Sequence, residues 1–339
     1  MLTHLPPGTA INVKAPTSLI FYMIFRSLIA AAYSSVFDSS HLSTPSKLHL
    51  SREPPGNSSG SSSSIGSPTM SSSPKPKSTT DQVFTTKNFI RILNINFQSV
   101  RKKVLNIEVL IKTTNSDIIL GTETWLTEEV KTTEFFSCSL GYKVHRHDRK
   151  NDHHGGVMIA LKDDLELLDV QKSKNLELIS GRIKLNRNKD LIIDSYYRPP
   201  NKTDADEDYL NITYSELTRL KSKKRNTVHI IGGDYNLPDI DWLSMTFNRT
   251  NHYPQRVNQT FVNIVHDMGL KQMVNFPIRV ENTLDLTLTT HPSFMIRCKP
   301  LPPIGVKSDH DIVLFDTSLS PIRSKTPRQK IILWKRANI

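Results

Sequence analysis

After Asn88 the chain breaks into short apolar runs, several of which stop at a side chain able to do chemistry. Phe89 to Ile95 (FIRILNI) ends at Asn96, Asp117 to Leu120 (DIIL) ends at Gly121-Thr122-Glu123, and Leu191 to Tyr197 (LIIDSYY) stops at Pro199-Pro200. Val228 to Ile231 (VHII) runs into Gly-Gly-Asp-Tyr-Asn, Val157 to Leu161 follows Gly155-Gly156, and Ile312 to Phe315 (IVLF) follows Ser308-Asp309-His310. Apolar runs of this length, bounded by turn residues, read as buried strands. Leu176 to Leu185 alternates for part of its length, as do Leu284, Leu286 and Leu288 with Asp285 and Thr287, which is strand spacing. Val104, Ile107 and Ile111, the polar stretch 204–221, and Phe261, Ile264, Val265 and Met268 read as helices between the strands. Strands interleaved with helices predict a layered α/β domain, in which sites assemble at strand ends and their loops. No internal repeat is visible.

Upstream of Lys87 the texture differs. Residues 54–80 hold eleven serines in 27 positions and no aromatic residue. Such a run cannot bury enough apolar surface to offset its conformational entropy. With hydrophobic residues at only 37% of 339, one globular region plus a poorly folded segment is expected. The sequence therefore divides into a disordered Ser/Pro-rich leader (1–86), a folded domain (87–318) and a basic tail (319–339). Within the leader, Ser18 to Phe37 carries two apolar runs interrupted by Arg26. Neither run reaches the ~20 residues that span a bilayer. The stretch reads as a weak signal anchor or an unfolded leader, and no stable membrane association is expected.

The net charge of +12 suits a polyanionic partner such as nucleic acid, or an anionic membrane. Six Lys/Arg and no acid in 318–339 could touch phosphates or form a solvated end. Two cysteines, Cys138 and Cys298, form no CxxC pair, which argues against structural zinc and a disulfide framework and favours a reducing compartment.

The polar strand-end residues form an ordered series: Asn96, Glu123, Tyr197, Asp234 with Asn236, Asp285, then Ser308-Asp309-His310. Each has a plain alternative. Glu123 could be a surface acid, Asn96 an ordinary strand terminator, and GGDYN a turn. Together, in the motifs NINFQSV (94–100), TETWL (122–126), YYRPPN (196–201), GGDYNLPDIDW (232–242), LDLTL (284–288) and SDHDIVLF (308–315), they resemble the endonuclease/exonuclease/phosphatase superfamily, and within it the endonuclease domain of LINE-type non-LTR retrotransposons. The resemblance covers about 88–339. It implies a four-layer α/β sandwich, two mixed β-sheets packed face to face and flanked by helices. It implies Mg2+ (or Mn2+) as cofactor, no small-molecule cofactor, DNA as partner, and a nuclear address because the substrate is there. Arg328 to Asn338 resembles the stretch that joins this endonuclease to a reverse transcriptase, so the chain is expected to be a fragment of a longer element.

Phosphodiester hydrolysis needs a cation, a base for water, donors to the phosphoryl oxygens and help for the leaving oxygen. Magnesium prefers oxygen ligands and keeps several waters, so one or two carboxylates suffice. Glu123 is the expected metal ligand, and Asn96 either supplies an amide oxygen or holds Glu123. Trp125 is assigned to the core. If GGDYN stays extended, Asp234 and Asn236 point to one face. The resemblance gives Asp234 the task of orienting or deprotonating the water, and Asn236 a hydrogen bond to a phosphoryl oxygen. Asp285 would fix the tautomer of His310 and favour its charged form. A charged His310 would bind the scissile phosphate, Asp309 would add to the metal site or assist the leaving group, and Tyr197, rather than its neighbour Tyr196, would donate its hydroxyl. Asp239 and Asp241 read as structural or surface acids, and Ser308 as a loop-orienting residue. Arg146, Arg149, Lys150, Arg198 and Arg279 are candidate DNA contacts. The segment 145–156 (HRHDRKNDHHGG) reads as a polar loop, with zinc binding or plain solvation as alternatives. One departure is visible: Ile278 stands where related endonucleases often carry a threonine, whose hydroxyl is a plausible DNA or phosphate contact.

The rival readings are another phosphoesterase of the superfamily, acting on abasic DNA, phosphoinositides or sphingomyelin, and a non-catalytic relic that binds nucleic acid through its charge.

Overall fold

The computed structural model describes residues 89–150, 152, 154–200, 205–221, 226–247 and 252–324. The leader 1–86, its Ser18–Phe37 stretch and the tail beyond residue 324 lie outside the described residues.

Strands β1 (Ile90–Asn96), β2 (Ile118–Thr122), β3 (Tyr142–His147) and β4 (Val157–Lys162) fill most of the first sheet. Strands β5 (Leu168–Lys172), β6 (Glu177–Leu185), β7 (Lys189–Tyr197) and β8 (Thr227–Asp234) fill most of the second. The short pair β9 (Ile240–Asp241) and β10 (Thr246–Phe247) stands apart, followed by β11 (Lys271–Gln272), β12 (Asp285–Thr289), β13 (Met295–Leu301) and β14 (Ile312–Thr317). The helices are α1 (Val104–Thr114), α2 (Ala205–Leu220) and α3 (Gln255–Asp267). The first six-stranded sheet has the order β13-β14-β1-β2-β4-β3, the second β11-β12-β8-β7-β6-β5. Each is mixed: β1 and β2 run parallel, as do β7 and β8, and the other pairs are antiparallel.

The strand period of two decides the layers. Ile90 and Ile92, Ile118 and Leu120, Leu191 and Ile193, Val228 and Ile230, and Val313 and Phe315 meet in one cluster between the sheets. The alternate residues face outward. Leu93, Ile95, Ile119 and Leu314 pack with Ile107 and Leu110 of α1, whereas Tyr196, Ile231, Leu286 and Leu288 pack with Leu210 and Leu217 of α2 and Phe261 and Ile264 of α3. Three apolar seams separating helix, sheet, sheet and helices make the four-layer α/β sandwich that the resemblance implied. Among the described residues no helix is long and apolar enough to cross a membrane.

One expectation changes. The segment around His145 and His147 is not loop: β3 is an edge strand paired along its length with β4. The extended reading of GGDYN holds as far as Asp234: Gly232-Gly233-Asp234 continues β8, with Leu286 and Asp285 of β12 paired to Gly233 and Asp234.

Candidate active site

The inward face of the sandwich is apolar at one end and polar at the other. Along β1 it reads Ile90, Ile92, Asn94, Asn96; along β8, Val228, Ile230, Gly232, Asp234; along β7, Leu191, Ile193, Ser195, Tyr197. The parallel pairs finish on the same side, and β12, antiparallel to β8, begins there with Asp285. The loop before β14, antiparallel to β1, brings Ser308, Asp309 and His310 to that side. Six chain segments thus deliver their polar termini to one end of the sandwich.

Asn96 bridges the two sheets there. Its Nδ2 donates to Glu123 Oε1 at 2.9 Å and to Asp234 Oδ2 at 2.9 Å, while its Oδ1 accepts from the Gln98 amide at 3.0 Å. Of its two expected roles the geometry therefore favours holding Glu123. Trp125, expected in the core, is instead half-buried and donates its indole N–H to Glu123 Oε2 at 3.2 Å. Glu123 itself has φ 48°, a left-handed backbone that turns its side chain out of the strand alternation.

Asp234 is fully buried and accepts from the Asn236 amide at 3.0 Å and from Asn236 Nδ2 at 3.0 Å. Asn236 has φ 49°, so the two side chains meet through a tight Asp-to-backbone turn and not by strand alternation. Its second amide hydrogen goes to the Arg198 carbonyl at 2.8 Å. Asn236 therefore orients Asp234 in this arrangement, and its amide has no hydrogen left for a phosphoryl oxygen. Burial first, and the facing Asp285 second, push the Asp234 carboxyl well above the usual carboxylate range.

His310, buried, holds Asp285 Oδ2 at 2.6 Å through Nδ1, and its Nε2 lies 3.9 Å from Asp309 Oδ1. Burial alone would lower the imidazole, but the charge and hydrogen bond of Asp285 outweigh it and raise His310 to about 9. Asp309 is half in solvent. Gln98 grips it, donating to Oδ1 at 2.5 Å and accepting from its amide at 3.2 Å, and Arg279 pairs with Oδ2 at 2.7 Å. Ser308 donates to the Asn96 carbonyl at 3.3 Å, as a loop-orienting residue should. Tyr197 sits on the inward face, where burial and the nearby Glu123 and Asp234 raise its hydroxyl. Tyr196 points the other way and bonds Thr213 at 3.0 Å under α2.

The candidate DNA contacts divide. Arg198 is 0% exposed, pairs with Asp206 at 2.6 Å and lies over the Tyr253 ring, so it cannot reach a bound strand. Arg146 donates to the carbonyls of Val130 and Thr127 at 2.6 and 2.7 Å, and Arg149 pairs with Glu177. Lys150 is exposed and Arg279 partly so. Ile278 is buried in the intersheet core, so the side chain at that position does not face a substrate. Asp239 is structural as expected, accepting from His252 at 2.7 Å and from the Tyr253 amide at 2.9 Å.

Sequence reasoning did not find Gln98, Glu177 or Lys103. Lys103 is buried with its ammonium on the carbonyls of Phe97 and Gln98; burial lowers its pKa, against the pull of Glu123 and Asp309. No signal in a lone Gln, Glu or Lys would have singled these out.

Among the described residues no three His, Cys, Asp or Glu side chains gather into a metal cage, which leaves the zinc reading of 145–156 without support there. A hard cation that keeps most of its waters needs no such cage. Glu123 fits it: a partly exposed carboxylate oriented by two donors, with the amide oxygen of Asn96 and the carboxylate of Asp234 on the same polar wall.

Residues 191–314 match the model of a family described as endonuclease-reverse transcriptase. Among solved structures, the chain is similar to an AP endonuclease from Archaeoglobus fulgidus, with 18% identity and TM-score 0.53 over 67% of this chain and 98% of that one. It is similar to the 3′ phosphatase NExo from Neisseria, bound to a product DNA hairpin, with 14% identity and TM-score 0.51 over 67% and 99%. The endonuclease domain of TRAS1, a telomere-specific non-LTR retrotransposon, aligns with 20% identity and TM-score 0.49 over 67% and 98%. No curated protein matches the chain. Residues 191–314 are thus similar to an endonuclease-reverse transcriptase family, and the fold around them is the α/β sandwich shared with the AP endonuclease and NExo structures.

Proposed function

We propose that the chain is a Mg2+-dependent endonuclease that nicks one strand of DNA, of the kind that serves non-LTR retrotransposons. One observation carries the reading. Glu123, Asn96, Asp234, Asp285 and His310 form an unbroken polar path, from a carboxylate fit for a cation at one end to a charged imidazole at the other. The family match over 191–314 and the net charge of +12 support the choice of a nucleic-acid substrate.

Each group then has a task. A divalent cation bound at Glu123 supplies Lewis-acid stabilisation of the phosphoryl oxygens. Asn96 and Trp125 keep the Glu123 carboxylate oriented. Asp234, raised by burial, holds the attacking water and accepts its proton, and Asn236 keeps Asp234 facing it. His310, protonated through neutral pH, presents Nε2–H to a phosphoryl oxygen while Asp285 fixes its tautomer. Tyr197 donates its hydroxyl to a second oxygen, and Asp309 faces the leaving side. The product is a 3′-hydroxyl, and a DNA substrate implies a nuclear address.

The test is nicking of supercoiled plasmid by the purified chain with Mg2+, and its loss with a chelator. Glu123→Gln, Asp234→Asn and His310→Ala are each expected to lose activity by at least about 10²-fold. Full activity in any one removes that residue from the mechanism. Cleavage only of abasic duplex moves the assignment to a repair-type nuclease, and salt-sensitive binding without cleavage makes the chain a binding relic.

A further inference from the structure

We propose that Glu177 is a positioning residue of the metal half of this site, an inference that rests on the proposed function. Glu177 opens β6 directly opposite Tyr197 of β7. Its carboxylate is nearly buried and accepts from three donors on the 148–156 segment: Arg149 Nε at 2.8 Å, Arg149 Nη2, and the Gly156 amide. Arg149 is thereby placed over the Tyr197 ring, with its guanidinium carbon 5.8 Å from the centroid. The segment so clamped reaches the metal ligand from the other side. The Gly155 carbonyl accepts from the Trp125 amide at 2.8 Å, the Gly156 carbonyl from the Thr124 amide at 3.2 Å, and His154 meets the Trp125 ring edge-on at 4.8 Å. Trp125 holds Glu123.

The double glycine follows from this clamp. Gly155 and Gly156 have φ 128° and 83°, and a Cβ at Gly155 would stand 2.6 Å from both Arg149 and Glu177, one at Gly156 2.6 Å from Thr124. Only a backbone without side chains lets Glu177 reach the Gly156 amide while the loop supports Trp125. Glu177 therefore ties Tyr197 to Glu123, two groups contributed by different sheets. Arg149, expected to contact DNA, is the counter-ion of this clamp.

The experiment measures Mn2+ binding to the full chain from the electron paramagnetic resonance signal of free Mn2+, with thermal melting and plasmid nicking on the same samples. Glu177→Ala is expected to weaken Mn2+ binding about 10-fold or more, as loss of a group that orients a metal ligand does. Glu177→Gln keeps an acceptor for the Gly156 amide but loses the charge facing Arg149, and should fall between wild type and Ala. It carries the test if the Ala variant does not fold. A purely structural role would lower the melting temperature and leave Mn2+ affinity of the folded variant unchanged, and that result overturns the proposal. Wild type that binds Mn2+ but does not nick overturns the proposed function alone, while the variants' Mn2+ affinities still decide the clamp. Wild type that binds no Mn2+ overturns both.

Discussion

Asp234 and Asp285 are register partners on neighbouring antiparallel strands, two fully buried carboxylates side by side on the inward face. Like charges so placed oppose folding, and both carboxyls are pushed up, burial being the largest cause for each. Three side chains ease the conflict: His310 on Asp285, and the Asn96 and Asn236 amides on Asp234.

The His310–Asp285 pair gives the first prediction, in pH. The folded pKa of His310 is raised to about 9, above the ~6.5 of a free imidazole. The pair's contribution to stability is thus complete below ~6.5 and is lost as pH rises through about 9. In metal-free protein, denaturant unfolding should show wild type losing stability over that window. Asp285→Asn should flatten the loss, since Asn keeps an oxygen for Nδ1 but no charge. The same variant should move the imidazole titration downward by NMR and cut nicking about 10²–10⁴-fold. An unshifted titration would contradict the pairing.

Asn96 gives the second. Its side-chain amide donates to both Glu123 and Asp234. Asn96→Ala should weaken metal binding or activity about 10–100-fold. Asn96→Asp would put a third carboxylate between the two, so the melting temperature of the metal-free protein should fall and added Mg2+ should restore part of it. Calorimetry with and without Mg2+ checks this.

Arg198 gives the third. A guanidinium with no exposure, paired to Asp206 and donating to the Asn236 carbonyl at 3.1 Å, belongs to the scaffold. Arg198→Met should cost about 3–5 kcal/mol, the penalty for removing one partner of a buried ion pair, read from urea unfolding. Any loss of DNA affinity should disappear once measurements are confined to folded protein.

Lys150 gives the fourth. It is exposed and follows Arg149, which Glu177 holds. If it meets a phosphate, Lys150→Ala should reduce the slope of log K against log salt by about one, with equal weakening on unrelated DNA sequences. An unchanged slope assigns it to solvent.

By itself the sequence determined the layered α/β class, the helices α1 to α3, the longer apolar strands and the residues at their ends. These follow from local rules: strands alternate every second residue and helices repeat every third or fourth. The edge strands β3, β5 and β13 escaped that reading, since their half-exposed faces carry charge in place of an apolar run. The tertiary structure alone decided which strand ends meet. Asn96 and Asp234 are 138 positions apart and touch only because each closes a parallel pair in a different sheet. The same long-range packing drew Trp125 out of the expected core onto Glu123, sealed Arg198 inside, and turned Arg149 toward Glu177. A side chain's neighbours across a sheet interface depend on register and packing, which short-range periodicity does not encode.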